Sequence, residues 1–287
     1  MESSPKDLNH VGIVGLGLIG GSLGLDLQSL GCRVYGLTHR ESTAQRAKER
    51  GLAQVASTDP NILLNCSVVI LALPLSQLVK PSKELINILP ANAIITDVGS
   101  VKAPITKVWN KIHPLFVPSH PMAGTSNAGI EAGERNLFKN RPWVTTPSKE
   151  TNQTALSTIH ELAHLLGSQL VSVDAEMHDQ AVALISHLPI FISAALLKTV
   201  GEGQPPSLLE LAKTVASSGF ADTTRIGAGN PNLGVDLAKY NHEALVQALS
   251  SYCLSIRELK SLIENNQWDQ LQSTLKESKL SRSDFLE

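Results

Sequence analysis

At 287 residues the chain is too long for one ordinary core and too short for three, which leaves about two domains. With 42% hydrophobic and only 17% charged residues it is not a disordered chain, which needs low hydrophobicity and high charge. The 24 basic and 26 acidic residues give a net charge of −2, so there is no basic surplus to neutralise the phosphates of a nucleic-acid partner.

In chain order, the start MESSPKDLNH is polar and reads as neither a secretory signal nor a transit peptide. Strand candidates follow at residues 9–14 (NHVGIV), 33–37 (RVYGL), 67–73 (SVVILAL), 93–97 (AIITD) and 115–119 (LFVPS). Segments of helical length separate them, such as 18–30 and 75–89. Near-continuous apolar strands alternating with helices indicate a parallel sheet covered on both faces, an α/β domain of the Rossmann type. Two more strands are expected at 142–146 and 169–174, joined by a helix over 154–166. The longest unbroken apolar run, 68–73, stops at Pro74, and a membrane span needs about 20 residues, so no membrane is expected.

After Asp174 the strand signals stop. Helical periodicity occupies 175–199, 208–217 and 233–263, followed by a short helix near 268–276, with loop-like breaks at 201–206 (GEGQPP) and 227–231 (GAGNP). The expected plan is a dinucleotide-binding domain over 1–172 and an all-α domain over 173–287. A continuous helix over 233–263 would need neighbours along its length, which a second subunit could supply. Cys32, Cys66 and Cys253 form no pair spacing, which points to a reducing, cytoplasmic compartment.

Gly15-Leu16-Gly17-Leu18-Ile19-Gly20 fits G-x-G-x-x-G between a strand and a helix. In that context Gly15 permits the tight turn, Gly17 lets the backbone approach a diphosphate and Gly20 lets the helix pack on the strand. The free N–H groups at the helix start, from Leu18 and Ile19 onward, would hold the diphosphate. The second strand ends in Thr38-His39-Arg40, with no carboxylate before Glu41. A carboxylate there would repel a 2′-phosphate, whereas a hydroxyl and a guanidinium would bind one, so NADP is expected and NAD less so.

His160-Glu161-Leu162-Ala163-His164 matches the H-E-x-x-H zinc motif on an expected helix. Ala155, Ile159, Leu162 and Leu166 form that helix's buried stripe, which turns His160 and His164 toward solvent. No third ligand is apparent from spacing, so no metal site is assigned.

Ligands of open α/β sheets bind outside the carboxyl ends of the strands. Two polar runs lie there, Asp97-Val98-Gly99-Ser100-Val101-Lys102 and Ser119-His120-Pro121-Met122-Ala123-Gly124-Thr125. His120 stands between a strand and a glycine-containing loop, where it is either a general base for an alcohol proton or a structural histidine. In the helical half, Pro189 predicts a kink beside His187. The polar run 218–225 ends in Arg225, read either as a carboxylate-binding group or as a surface arginine paired with Asp222.

Together, GLGLIGGSL, TDVGSVK, SHPMAGT, the stretch from Leu137 to Pro147, HDQAVALISHLP and SSGFADTTR resemble, in order, the motifs of the prephenate/arogenate dehydrogenase family. Within that family the chain resembles the cyanobacterial-type arogenate dehydrogenases, which share its length and NADP-like second strand. The resemblance implies an oxidative decarboxylation of L-arogenate to L-tyrosine, with prephenate dehydrogenase or a dual-substrate cyclohexadienyl dehydrogenase as alternatives. It implies His120 as the base that takes the ring C4 hydroxyl proton, Ser100 as a hydrogen-bonding partner of that histidine or hydroxyl, Arg225 on the substrate carboxylate, and His187 and Thr125 lining the substrate pocket. It also implies a homodimer through the helical domain, and the length leaves no room for a fused mutase or sensing domain. Relatives often carry an arginine where this chain has Ala221, and no acidic residue at Ser126-Asn127 meets the ammonium group of arogenate. A β-hydroxyacid dehydrogenase has the same domain plan but lacks the HPMAG and SHLP segments. A non-enzymatic NADP sensor would need a partner surface and no turnover.

Overall fold

The computed structural model describes residues 8–125 and 127–285. Residues 1–7, Ser126 and residues 286–287, and with them the readings of the polar start and of Ser126, lie outside the described residues. Strands β1 (His10–Val14), β2 (Arg33–Leu37), β3 (Val55–Ser57), β4 (Val68–Leu71), β5 (Ile94–Asp97) and β6 (Phe116–Val117) pair in parallel in the order β3-β2-β1-β4-β5-β6. This is the doubly wound dinucleotide-binding order, which reverses between β1 and β4. Successive side chains of a strand point to opposite faces. Accordingly Val68 and Ile70 of β4 enter one core with Leu23 and Leu27, while Val69 and Leu71 enter another with Leu78, Ile105 and Trp109.

Helices α1 (Leu18–Ser29), α2 (Glu41–Glu49), α3 (Leu75–Val79), α4 (Lys83–Asn87) and α5 (Ala103–Trp109) make the crossovers. The single helix expected over 75–89 is broken between α3 and α4, where Pro81 cannot donate an intrahelical bond. The strand expected over 115–119 is also divided. β6 ends at Val117, and after Pro118 the chain enters a second sheet as β7 (Ser119–Pro121). That sheet adds β8 (Pro142–Thr145), antiparallel to β7, and β9 (Gln169–Ser172), parallel to β8, with α6 (Gln153–Leu165) between them. The three-residue β3 was not anticipated, being too short for a periodic signal.

The chain divides by compactness into residues 1–241 and 242–287. In the first unit, α7 (Ala175–Val182) is capped by Asp174, whose side chain accepts from the Glu176 and Met177 amides. It runs through one π-helical turn, Ala183–His187, into α8 (Leu188–Gly201), so the irregularity expected beside Pro189 is a π turn ending on His187. Then come α9 (Pro206–Val215), α10 (Ser218–Thr224), a 3₁₀ turn (Arg225–Ala228) and α11 (Pro231–Tyr240). The run at 218–224 is therefore helix rather than loop.

The second unit consists of α12 (His242–Glu264) and α13 (Trp268–Ser283), which pack on one another. The continuous helix expected over 233–263 is two helices, interrupted at Asn241 (φ −120, ψ 39) without glycine or proline. The Asn241 side chain donates 2.7 Å to the Asp179 carbonyl and lies 3.2 Å from His187 Nδ1.

Candidate active site

The β1–α1 turn has the shape its glycines require. Gly15 takes φ +92, and a Cβ there would stand 2.4 Å from the Ala72 carbonyl oxygen. A Cβ on Gly20 would come within 2.0 Å of the Gly15 oxygen, so only glycine lets α1 start so close to the strand. A Cβ on Gly17 would meet nothing within 4 Å. No acidic side chain occupies the first turn of α1, and no side chain caps it. The amides of Leu18, Ile19 and Gly20 therefore face open space with no intrahelical partner, which fits a diphosphate.

Thr38 is buried, and its hydroxyl donates to the Arg40 carbonyl at 3.1 Å. His39 and Arg40 are exposed, and no ion pair of Arg40 is formed among the described residues. All three stand at the carboxyl end of β2, one strand from the glycine turn.

His120 lies in β7 opposite Val144 of β8. It opens on a cleft of about 590 Å3 that Thr125, Glu134, Arg141, Ile185 and Ser186 also line. Its Nδ1 lies 3.0 Å from His178 Nε2, with the rings edge to face, and His178 Nδ1 lies 2.8 Å from Asp179 Oδ1. Its Nε2 makes no hydrogen bond among the described residues. Burial pushes His120 well below the usual imidazole pKa, and the neighbouring His178, Lys102 and His187 add to the effect. The ring is therefore neutral near pH 7.

Beneath it, fully buried Lys102 donates to Asp97 and, at 2.6 Å, to the Ser119 carbonyl. Asp97 also accepts from the amides of Gly99 (2.8 Å) and Ser119 (3.2 Å), tying the ends of β5 and β7 together. Burial lowers the Lys102 pKa, while Asp97 pulls against that.

Of the other residues singled out in the sequence, Thr125 shares the cleft with His120, and its hydroxyl accepts from the Asn127 amide at 3.2 Å. His187 is fully buried with Nε2 unpartnered, and burial pushes its pKa down to about 4. Ser100 is half-buried and forms no side-chain hydrogen bond among the described residues, and the partner of His120 Nδ1 is His178. Arg225 is exposed, outside the cleft lining, and among the described residues it forms no ion pair with Asp222. His160 is half-buried and bonds Thr145 Oγ1 at 3.1 Å, so it does not face solvent as its helical position had implied, whereas His164 is exposed.

Sequence reasoning missed His178, Asp179, Lys102 and Asn241. The His-Asp pair just inside a helix start and a lysine at a strand end were the available signals.

The family model for the prephenate dehydrogenase nucleotide-binding domain matches residues 23–172. That for the prephenate dehydrogenase dimerization domain matches residues 174–277. The chain belongs to the prephenate dehydrogenase family. It is similar to the cyclohexadienyl dehydrogenase of Zymomonas mobilis, at 31% identity over 95% of this chain and 94% of that one. Among solved structures, Synechocystis arogenate dehydrogenase is 38% identical with a TM-score of 0.81, covering 96% of this chain and 100% of that one. Prephenate dehydrogenase from A. aeolicus, in complex with hydroxyphenyl propionate and NAD+, is 28% identical with a TM-score of 0.90, covering 98% and 99%. As a member of this family the chain is a dehydrogenase whose first half is a nucleotide-binding domain.

Proposed function

We propose that this dehydrogenase carries out the NADP-dependent oxidative decarboxylation of L-arogenate to L-tyrosine. The observation that carries the chemistry is His120, a neutral imidazole at a strand end that lines a cleft and whose Nε2 makes no hydrogen bond among the described residues. His120 takes the C4 hydroxyl proton and is the residue best disposed to return it to the phenolic product. The amides of Leu18, Ile19 and Gly20 in the β1–α1 turn would hold the cofactor diphosphate, and a bound nicotinamide would supply the acceptor for the hydride that leaves C4 as carbon dioxide leaves C1. Thr125 orients the ring from the rim of the cleft, while Ser100, His187 and Arg225 remain proposed contacts to substrate.

NADP is favoured over NAD because the second strand ends in Thr38, His39 and Arg40 rather than in a carboxylate. Arogenate is favoured by the 38% identity to a relative named for it. Prephenate and dual-substrate activity, for which other relatives are named, are the alternatives. We take residue 173 as the change from the cofactor module to the substrate and dimer module, and the compartment as cytoplasmic.

The test follows NADPH and NADH formation with arogenate and prephenate in all four combinations. The expected result is at least about tenfold higher kcat/KM for arogenate with NADP, the discrimination that one or two charge-assisted hydrogen bonds provide. Higher kcat/KM with prephenate or with NAD overturns that part of the reading. His120→Asn should lower kcat by about 10²–10⁴-fold while leaving NADP binding unchanged, and wild-type turnover in that variant removes His120 from the base role.

A further inference from the structure

A histidine can act as a base only through a nitrogen that carries a lone pair, and which nitrogen that is depends on what the other one bonds. In this chain the answer is built from Asp179 outward. Asp179 is 5% exposed and held on three sides. Its Oδ1 accepts from the Lys102 amide at 2.6 Å, its Oδ2 from the Ala103 amide at 2.8 Å, and its carbonyl from Asn241 at 2.7 Å. The two amides belong to the N-terminal end of α5, so the carboxylate is a fixed acceptor.

His178 is 3% exposed and adjacent in sequence, and its Nδ1 faces that carboxylate at 2.8 Å. A carboxylate accepts only, so Nδ1 carries the proton, and when the ring holds that one proton its Nε2 is the acceptor. His120 Nδ1 lies 3.0 Å from this Nε2 and must therefore be the N–H. The His120 lone pair then lies on Nε2, which makes no hydrogen bond among the described residues, on a residue that lines the cleft.

We propose that His178, fixed by Asp179, is a positioning residue that sets the tautomer and orientation of His120 so that Nε2 is the proton acceptor. The proposal rests on the reading of His120 as the base. When His120 gains a proton its Nδ1–H still donates to His178, and the Asp179 charge behind that ring stabilises the imidazolium. The other groups facing His120 are Lys102 and its partner Asp97 at the strand ends and His187 from the π turn. Among the described residues none of these hydrogen-bonds its ring nitrogens. The three-residue chain parallels the base–orienter logic of hydrolytic triads, with a second imidazole between base and carboxylate.

The experiment measures kcat, KM and the pH profile of kcat for wild type, His178→Phe and His178→Gln, with thermal unfolding of each. Phenylalanine removes the acceptor, so kcat should fall about 10–100-fold with KM within about threefold, and the acidic limb of the profile should shift from its wild-type position. Glutamine accepts through Oε1 and donates to Asp179 through Nε2, so it should return kcat to within about tenfold of wild type and restore the limb. A His178→Phe enzyme with wild-type kcat and pH limb overturns the proposal. So does a glutamine variant of wild-type Tm that is as slow as the phenylalanine one; if the phenylalanine variant does not fold, a slow glutamine variant of wild-type Tm decides alone. His120→Asn, run alongside, separates the two ideas. Turnover by that variant refutes the base itself, whereas an inactive His120→Asn beside an unaffected His178→Phe refutes only the positioning.

Discussion

His187 has no charged partner at Nε2, and its neutral ring is what the fold accommodates. Its pKa is pushed down to about 4 by burial, against an ordinary value of 6.5. The unfolded chain therefore binds a proton that the folded chain refuses across that interval. Stability from this group is complete above about pH 6.5 and is lost progressively as pH falls toward 4, of order 3 kcal/mol in all. His120, His113 and His160 are lowered in the same direction by burial and steepen the loss. Thermal unfolding across pH 4–7.5 should show Tm falling below pH 6.5, and His187→Gln should flatten part of that slope; an identical slope in the variant would mean that His187 is not held neutral. At this scale the sequence was legible where chemistry and motif coincide. His120 and His187 stood out through their motifs. His178 and Asp179 open the same HDQAVALISHLP motif as His187 but were assigned no role, because theirs lies in a contact 58 residues away in the chain, between His178 and His120.

The β1–α1 turn was the most legible element, since backbone geometry there dictates residue type. Its two outer glycines and its middle one do different work, and mutation should separate them. A methyl on Gly20 collides with the Gly15 carbonyl, so Gly20→Ala should cost about 1–3 kcal/mol of stability as well as cofactor binding. A methyl on Gly17 meets nothing, so Gly17→Ala should keep the wild-type Tm and raise only the cofactor Kd. Calorimetry with NADP titration measures both quantities, and a Gly17→Ala protein that binds NADP as wild type would move the diphosphate away from this turn. Other elements were legible in kind but not in extent. The strand at 115–119 divides at Pro118 between two sheets, and the helix at 233–263 ends early because Asn241 leaves helical backbone to bond Asp179. Tertiary partners decided these breaks, and no local propensity marks the second.

At the scale of the whole chain, residues 175–201 form one helical stretch through the π turn, whose most apolar 18-residue window has a mean hydropathy of 1.8 and is only 28% buried. By length and composition it could cross a membrane, although Ser186, His187 and Pro189 interrupt its apolar run. Yet it carries the buried His178 and Asp179, hydrogen-bonded into the sheet domain, and burying that polar cluster against protein is incompatible with a lipid-exposed span. Met177, Leu184 and Ile185 on this stretch are nonetheless exposed. On α9 no residue is buried, and Leu208, Leu211 and Val215 form an exposed stripe at the i, i+3, i+7 spacing of an amphipathic helix. Uncovered apolar surface of this extent calls for a partner, and the family's dimerization domain spans these helices. A second copy is accordingly the occupant we propose. Replacing Leu211 and Val215 together with aspartate puts two charges into the proposed interface, where each unpaired charge is costly to bury. At micromolar concentration the wild type should sediment as a dimer and the variant as a monomer, with far-UV dichroism unchanged. A variant that remains dimeric would exclude α9 from the interface and leave its stripe unexplained.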